Sequence, residues 1–399
     1  MKKFFVSALM LAFALSSVSA KDKKKTEDEG YVFTTVKELK ITPVKNQNRT
    51  GTCWCFSTLG FLESELLRMG KGEYDLSEMF IVSKNYKDKA EKFVRLHGEL
   101  NYAQGGSFED VLQAWKDYGI VPESVMNGLQ YGEDMHVHNE LESASRAYLD
   151  QIIKNPNRKL STAWKKGFDG IIDAYLGTAP EKFTYNGKEY TPKSFAAELG
   201  INPDDYVSLT SYTHHPFYSE FAIEVQDNWR WATSYNLPID ELMQVFENAI
   251  NTGYTIAWGA DVSEKGFTRN GIGVIPDIES MERSGSDQDR WLGLSTSEKD
   301  AEIKKMMEKP CKELEITQEM RQEAYDNYET TDDHGMQIYG ITKDQTGKKF
   351  YMIKNSWGTD NKYKGTWYIS ENFVKYKTMN IVVHKDALPQ AIKDKLHIK

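Results

Sequence analysis

Two short strings, set 281 positions apart (334 − 53) in this 399-residue chain, hold residue types suited to covalent chemistry on a carbonyl. The first is Gln47-Asn48-Arg49-Thr50-Gly51-Thr52-Cys53-Trp54-Cys55-Phe56; the second comprises Asp333-His334-Gly335 and then Lys354-Asn355-Ser356-Trp357-Gly358. Cys53 offers a thiol that can attack a carbonyl. His334 offers an imidazole titrating near neutrality, able to take a proton and return it to a leaving amine. Asn355 can accept the other ring N–H and hold the tautomer, and Trp357 would cover that hydrogen bond against water. Gln47, six residues before the cysteine, and the Cys53 backbone N–H supply two donors for an oxyanion. Taken singly, a cysteine is more often a small core residue and a histidine a satisfied structural group. The order and clustering of all four favour the chemical reading.

The elements that must position these groups are legible from periodicity. From Cys53 to Met69 the apolar residues Phe56, Leu59, Leu62, Leu66 and Leu67 recur at helical spacing, with Gly70 as a stop. A helix N-terminus favours an anion, so the thiol there is expected to ionise more readily. Ser77 is read as the cap of a second helix. Ser107 with Asp110 forms a capping box opening a third that ends at Gly119. Gly105-Gly106, just before it, would offer bare backbone to an extended peptide, with an ordinary loop as the plain alternative. Tyr254–Trp258, Met336–Ile341, Phe350–Ile353 and Thr366–Ile369 read as strands rich in branched and aromatic residues. The expected class is α+β with two lobes. The divisions are a leader over 21–40, a helical lobe over 41–125, a helical insertion over 126–205, and the first part of a β-rich lobe over 206–263. A second insertion over 264–325, the rest of the β-rich lobe with His334 and Asn355 over 326–386, and a tail over 387–399 complete the chain.

Residues 1–20 differ in kind. Lys2-Lys3, an apolar run from Phe4 to Leu15 and the small residues Ser16 to Ala20 read as a cleaved export signal. The run is too short for a stable bilayer anchor, so a periplasmic or extracellular location is expected. Removing the signal, with its two lysines and no acids, takes the net charge from −9 to −11. That acidity argues against nucleic acid as a partner, because phosphate binding relies on clustered Lys and Arg. Three cysteines make no disulfide framework, and Cys55 is read as core. No cofactor and no metal is expected. His136-Val137-His138 and His214-His215 lack a companion Cys pair or an HExxH string, and are read as exposed histidines.

These strings resemble the papain superfamily, and within it the bleomycin hydrolase/aminopeptidase C branch. The resemblance extends to Asn236-Leu237-Pro238-Ile239 ahead of Ala257-Trp258-Gly259-Ala260-Asp261-Val262, and to Lys364-Gly365-Thr366-Trp367. Thr50 stands where secreted papain relatives place a disulfide cysteine. The resemblance implies a papain-like two-lobed fold with the thiol helix on one lobe, the histidine on a β-barrel lobe and a cleft between them. It also implies peptide substrates, hexamers that remove N-terminal residues, and a C-terminal arm that holds the substrate's free amine. This sequence departs from the last feature. After Lys385-Asp386-Ala387-Leu388-Pro389 it reaches Lys399 without the length for such an arm, so an open cleft with endopeptidase action is the alternative expectation. Export is a second departure from a branch that is usually cytosolic, and it leaves homo-oligomer formation open. Acyl transfer to an amine and peptide binding without turnover are the rival functions.

Overall fold

The computed structural model describes residues 30–278 and 294–399. The stretch read as an export signal lies outside them, as does part of the second insertion. The helical half contains β1 (Thr34–Glu38), α1 (Cys53–Arg68), α2 (Glu78–Arg95), α3 (Phe108–Tyr118), α4 (Asn139–Ile153) and α5 (Ala163–Leu176). A hairpin of β2 (Phe183–Tyr185) and β3 (Lys188–Tyr190) and then α6 (Pro192–Leu199) follow. Next come β4 (Tyr206–Thr210), β5 (Glu220–Ala222), β6 (Thr233–Asn236), α7 (Ile239–Thr252), β7 (Ile256–Ala260) and β8 (Ile272–Gly273). The chain closes with α8 (Thr296–Met307), α9 (Gln318–Asp326), β9 (His334–Lys343), β10 (Lys349–Lys354), β11 (Thr366–Ser370), α10 (Glu371–Lys377), β12 (Thr378–His384) and α11 (Gln390–Leu396).

The main sheet runs β5-β6-β4-β12-β7-β9-β10-β11-β8, with β1 added against β9. Most pairs are antiparallel; β4 with β6 and β8 with β11 are parallel. Residues 34–38, read from sequence as part of a leader, are thus an edge strand, with Thr34 opposite Lys343. Their exposed side chains leave no apolar pattern to mark this; ladder hydrogen bonds and a bond from Thr342 Oγ1 to the Thr34 carbonyl at 2.8 Å hold them.

Two of the four apolar clusters among the described residues are large. One gathers α1, α2 and α3 around Leu59, Phe61, Leu62, Phe80 and Val111, and residues of the 126–205 segment join it through Leu141, Leu149, Phe168, Phe183 and Phe195. The other lies on the sheet under α7, with Phe246, Trp258, Ile338, Tyr351 and Ile381 fully buried. Each such side chain contributes roughly 1.5–3 kcal/mol on burial. Residues Ile392 and Leu396 of α11 join the second cluster, so the C-terminal segment is a packed helix. The helix starts follow their signals: Ser77 Oγ accepts from Phe80 N at 3.0 Å, and Asp110 Oδ2 accepts from Ser107 N at 2.8 Å.

Between α1 and the strand edges lies an ionic knot, largely buried except at Asp75. Lys45 Nζ reaches Glu63 at 3.3 Å, Asp75 at 2.6 Å and Glu78 at 2.7 Å. Thr42 donates to Glu63 at 2.5 Å and accepts from Lys354 Nζ at 2.8 Å. Glu63 and Glu78 are buried, so every partner is needed to offset desolvation. The knot joins α1, which begins at Cys53, to Lys354, the residue before Asn355.

Candidate active site

Antiparallel pairing brings the second string together. Because β9 and β10 run in opposite directions, with Gln337 opposite Lys354, the start of one strand lies beside the end of the other. His334 opens β9 and Asn355 follows β10, and His334 Nε2 lies 2.8 Å from Asn355 Oδ1. Both are buried. Nδ1 is then the ring nitrogen left to take a proton. Trp357 stacks on the imidazole, with centroids 4.6 Å apart and planes 26° off parallel, and is itself edge-on to Trp367 and Phe267.

Cys53 reaches the same place from the other lobe. It is half-buried, and it lines with His334 one pocket of about 580 Å³ counted out to its open mouth. Trp54, Gly106, Phe108 and Glu109 come from the helical side; Asp332, Gly335, Met379 and Asn380 come from the sheet side. Gly335 permits the approach of the lobes, since a Cβ there would stand 2.7 Å from Ser57 Oγ and 3.3 Å from Trp54 Cα. The Gly335 and Trp54 backbone N–H groups point to the sulfur and favour its anion. Even so, burial, with the charges of Asp332 and Asp227 added, pushes the Cys53 thiol up to about 12. The Trp54 N–H in the first turn of α1 eases ionisation, as expected from sequence, but burial outweighs it. Burial also pushes His334 down to about 4, against the opposing hydrogen bond to Asn355. Each group alone resists charging. A proton passed from sulfur to imidazole creates opposite charges side by side, and their attraction offsets part of that penalty.

The remaining sequence candidates divide. Gln47 is buried beside the site, but its Nε2 donates to the Thr50 carbonyl at 2.7 Å and its Oε1 accepts from Ser356 Oγ at 2.5 Å. It does not form part of the pocket wall. Gly106 does, whereas Gly105 is covered: a Cβ on it would fall 1.9 Å from Asp227 Oδ2, and its carbonyl accepts from buried Lys89. Cys55 is buried and donates to the Glu78 carbonyl at 3.4 Å. The reading of His136 and His138 as exposed is overturned, for His138 is fully buried and His136 half-buried. Their segment pairs with Arg49, through Arg49 N to His136 O at 3.1 Å and His138 N to Arg49 O at 3.3 Å. It thereby braces the loop between Gln47 and Cys53.

Sequence reasoning missed two features. Gln104 straps the nucleophile loop: its Oε1 accepts from Gly51 N at 2.7 Å, its carbonyl accepts from Trp54 Nε1 at 3.0 Å, and its Nε2 donates to Glu142 at 2.7 Å. The pocket is also acidic, with Glu109, Asp227, Asp332 and Asp333 on its wall and no Lys or Arg. Asp332 keeps an exposed face, yet desolvation at the rim, then the charges of Asp227, Asp333 and Glu109, pushes its carboxyl up to about 7. The wall segment carrying Val225, Asp227 and Asn228 is fastened to α3 by Trp229 and Arg230, which donate to Asp110 at 2.9 and 2.7 Å.

Comparison with known proteins agrees with this architecture. Residues 32–172 match the papain family of cysteine proteases and residues 292–399 match the peptidase C1-like family, so the two strings fall one in each. Aminopeptidase C of Lactococcus lactis subsp. lactis is 23% identical over 88% of this chain and 83% of its own length. Aminopeptidase C of Streptococcus thermophilus is 23% identical over 94% of this chain and 86% of its own. The crystal structure of PepW from Lactobacillus rhamnosis HN001 superposes with a TM-score of 0.69 at 20% identity, covering 91% of this chain and 84% of that one. With a cysteine-bearing helix and a histidine-bearing sheet facing one pocket, and with each of the two strings inside a family match, the chain is placed in the papain-like cysteine peptidase superfamily, and its curated relatives include aminopeptidases C.

Proposed function

We propose that this chain hydrolyses peptide bonds with Cys53 as nucleophile and takes its substrates by a free amino end. The carrying observation is that Cys53 and His334, from different lobes, line one pocket while His334 is held by Asn355. Cys53 attacks the scissile carbonyl as its proton passes to His334. The carbon–nitrogen bond breaks as His334 returns that proton to the amine, leaving an acyl-thioester. His334 then takes a proton from water, whose oxygen attacks the acyl carbon; the carbon–sulfur bond breaks, His334 returns the proton to Cys53 and the acid is released. The Cys53 backbone N–H serves the oxyanion; Gln47, held by Thr50 and Ser356 behind the pocket wall, joins it only if its second N–H is uncovered when substrate binds.

Preference for a free amine is supported by the four carboxylates and the lack of Lys or Arg on the pocket wall, and by relatives that carry the name aminopeptidase C. A second reading, endopeptidase action, draws on residues 387–399, none of which lines the pocket. Matched peptides with free and acetylated N-termini test the pair of readings. The proposal expects cleavage of the free form and at least tenfold loss on acetylation; equal rates would leave an endopeptidase. Cys53→Ala is expected to abolish turnover and labelling by thiol-directed epoxides, and persisting hydrolysis would remove the nucleophile assignment.

Export is proposed on residues 1–20 alone. Among the described residues no helix is long and apolar enough to cross a membrane. Protein recovered outside the cytoplasm should begin at Lys21; recovery only as intact cytosolic chain would overturn that reading.

A further inference from the structure

Apart from the active site, one convergence of donor atoms stands out on the sheet's far edge. His214 and His215 follow β4, and Glu224 follows β5. His214 Nε2 lies 3.1 Å from Glu224 Oε2, and His215 Nε2 lies 3.1 Å from Glu224 Oε1. Consecutive residues of an extended chain point to opposite faces; here both imidazoles turn to the same carboxylate, with ring centroids 4.6 Å apart. One donor atom from each of the three residues fits within 4.8 Å of the other two, and no other such trio of His, Cys or acidic ligands occurs among the described residues.

The three side chains are held in this arrangement from behind. His215 stacks on Phe221 at 4.2 Å and His214 on Tyr325 at 5.5 Å. The loop backbone is pinned by fully buried Asn236, whose Nδ2 donates to the carbonyls of Tyr212 at 2.7 Å and His215 at 2.9 Å. The Glu224 carbonyl accepts from Tyr325 Oη at 3.1 Å. Behind His214, the amide of Gln322 reaches Nδ1 with its Oε1 at 3.4 Å and its Nε2 at 3.1 Å. Its Oε1 also accepts from Thr213 N at 2.6 Å, and ligation through His214 Nε2 requires the tautomer in which Nδ1 donates to that oxygen, the longer of the two contacts.

We propose that His214, His215 and Glu224 form a binding site for a divalent zinc-type cation, with water completing the coordination. Two imidazole nitrogens and one carboxylate oxygen match the donor preference of zinc, and bonds of about 2.0–2.1 Å in a tetrahedron require donors ~3.3 Å apart. The two 3.1 Å separations run to different oxygens of Glu224, and one donor from each residue lies within 4.8 Å of the others, so a cation would draw the trio together by side-chain rotation. Exposure of Glu224 provides the entry path. The consequence for the molecule lies in the neighbours. Ile223 and Val225 flank Glu224 on the chain, and both line the substrate pocket. A bound cation would clamp that wall, lowering KM more than it changes kcat.

The binding test stands apart from the peptidase reading. Cys53→Ala protein, stripped with a chelator, is titrated with zinc against a chromophoric chelator. One equivalent is expected to bind, and to raise Tm. Cobalt substitution should give a tetrahedral nitrogen–oxygen spectrum without a thiolate charge-transfer band, which separates this site from Cys55 and Cys311. In the same background, Glu224→Gln should weaken zinc at least tenfold, and His214→Ala with His215→Ala should abolish the stoichiometric uptake while circular dichroism reports an intact fold. Absent uptake, uptake unchanged in the double variant, or a thiolate band would each overturn the assignment.

Discussion

A Cβ added to Gly335 would stand 2.7 Å from Ser57 Oγ, so the strand bearing His334 and the helix bearing Cys53 meet at a point where only glycine fits. The contact sets the spacing between nucleophile and base. Replacing Gly335 with Ala should force α1 outward, costing about 1–3 kcal/mol of stability. It should also lower kcat by roughly 10²-fold, the penalty of an ångström of misplacement. Thermal unfolding and single-turnover kinetics measure the two; a fall in stability with kcat unchanged would separate the contact from the chemistry.

Asn355 and Trp357 act on the imidazole differently. Asn355→Ala removes the acceptor 2.8 Å from Nε2, so the wrong tautomer and a freer ring should lower kcat on the order of tenfold or more, with KM little changed. Trp357→Ala admits water to the same hydrogen bond. His334, held down to about 4 chiefly by burial, should then titrate closer to 6.5. The histidine's proton-dependent inflection, followed by NMR across pH 3–8, should rise in the variant. An unmoved inflection would show that the indole does not keep the ring dry.

The acidic wall predicts a pH dependence of recognition. Asp332, raised to about 7, carries its charge only above that pH. A peptide's α-amine, near 7.7–8.0 when free, keeps its charge only below that range. For free-amine substrates KM should therefore be lowest between about pH 7 and 8 and rise on both sides. Asp332→Asn should raise KM and erase the acid side of that profile, while acetylated peptides should be indifferent to the substitution.

His138 ties stability to pH. It is fully buried, both ring nitrogens lack a hydrogen-bond partner, and burial together with nearby His136 pushes it down to about 3. Burial and the Lys45 charge push His136 to about 4. Both are neutral in the fold, whereas the unfolded chain protonates them below about 6.5. The unfolded state then binds more protons, so their contribution is complete above 6.5 and is lost as pH falls towards 3–4. Moving from pH 7 to 5.5 should cost roughly 1 kcal/mol per histidine. Denaturant titrations should show a shallower slope in His138→Phe; an equal slope would place the protonation elsewhere. Because this segment pairs with Arg49, loss of activity in acid should accompany loss of stability.

Much of the site was legible because its determinants are local. Cys53 begins a helix whose apolar period is written into Phe56, Leu59, Leu62 and Leu66. Asp110 caps α3 from three residues away, and His334 starts a run of strand formers. Gly105 was not legible, since Asp227 comes to cover it from far along the chain. Nor was the burial of His138, because polar residues carry no mark of being enclosed.

Residue type and chain order alone determined that a thiol, an imidazole and two amides were present, each on an element of known kind. Tertiary structure decided everything that depends on distance and desolvation. It set which ring nitrogen meets Asn355, the neutral resting state that burial favours for Cys53 and His334, the carboxylates crowding the pocket, and the meeting of His214 and His215 with Glu224. Such properties depend on separation and dielectric in space, and residues far apart in sequence acquire both only when the sheet and the helices close on each other.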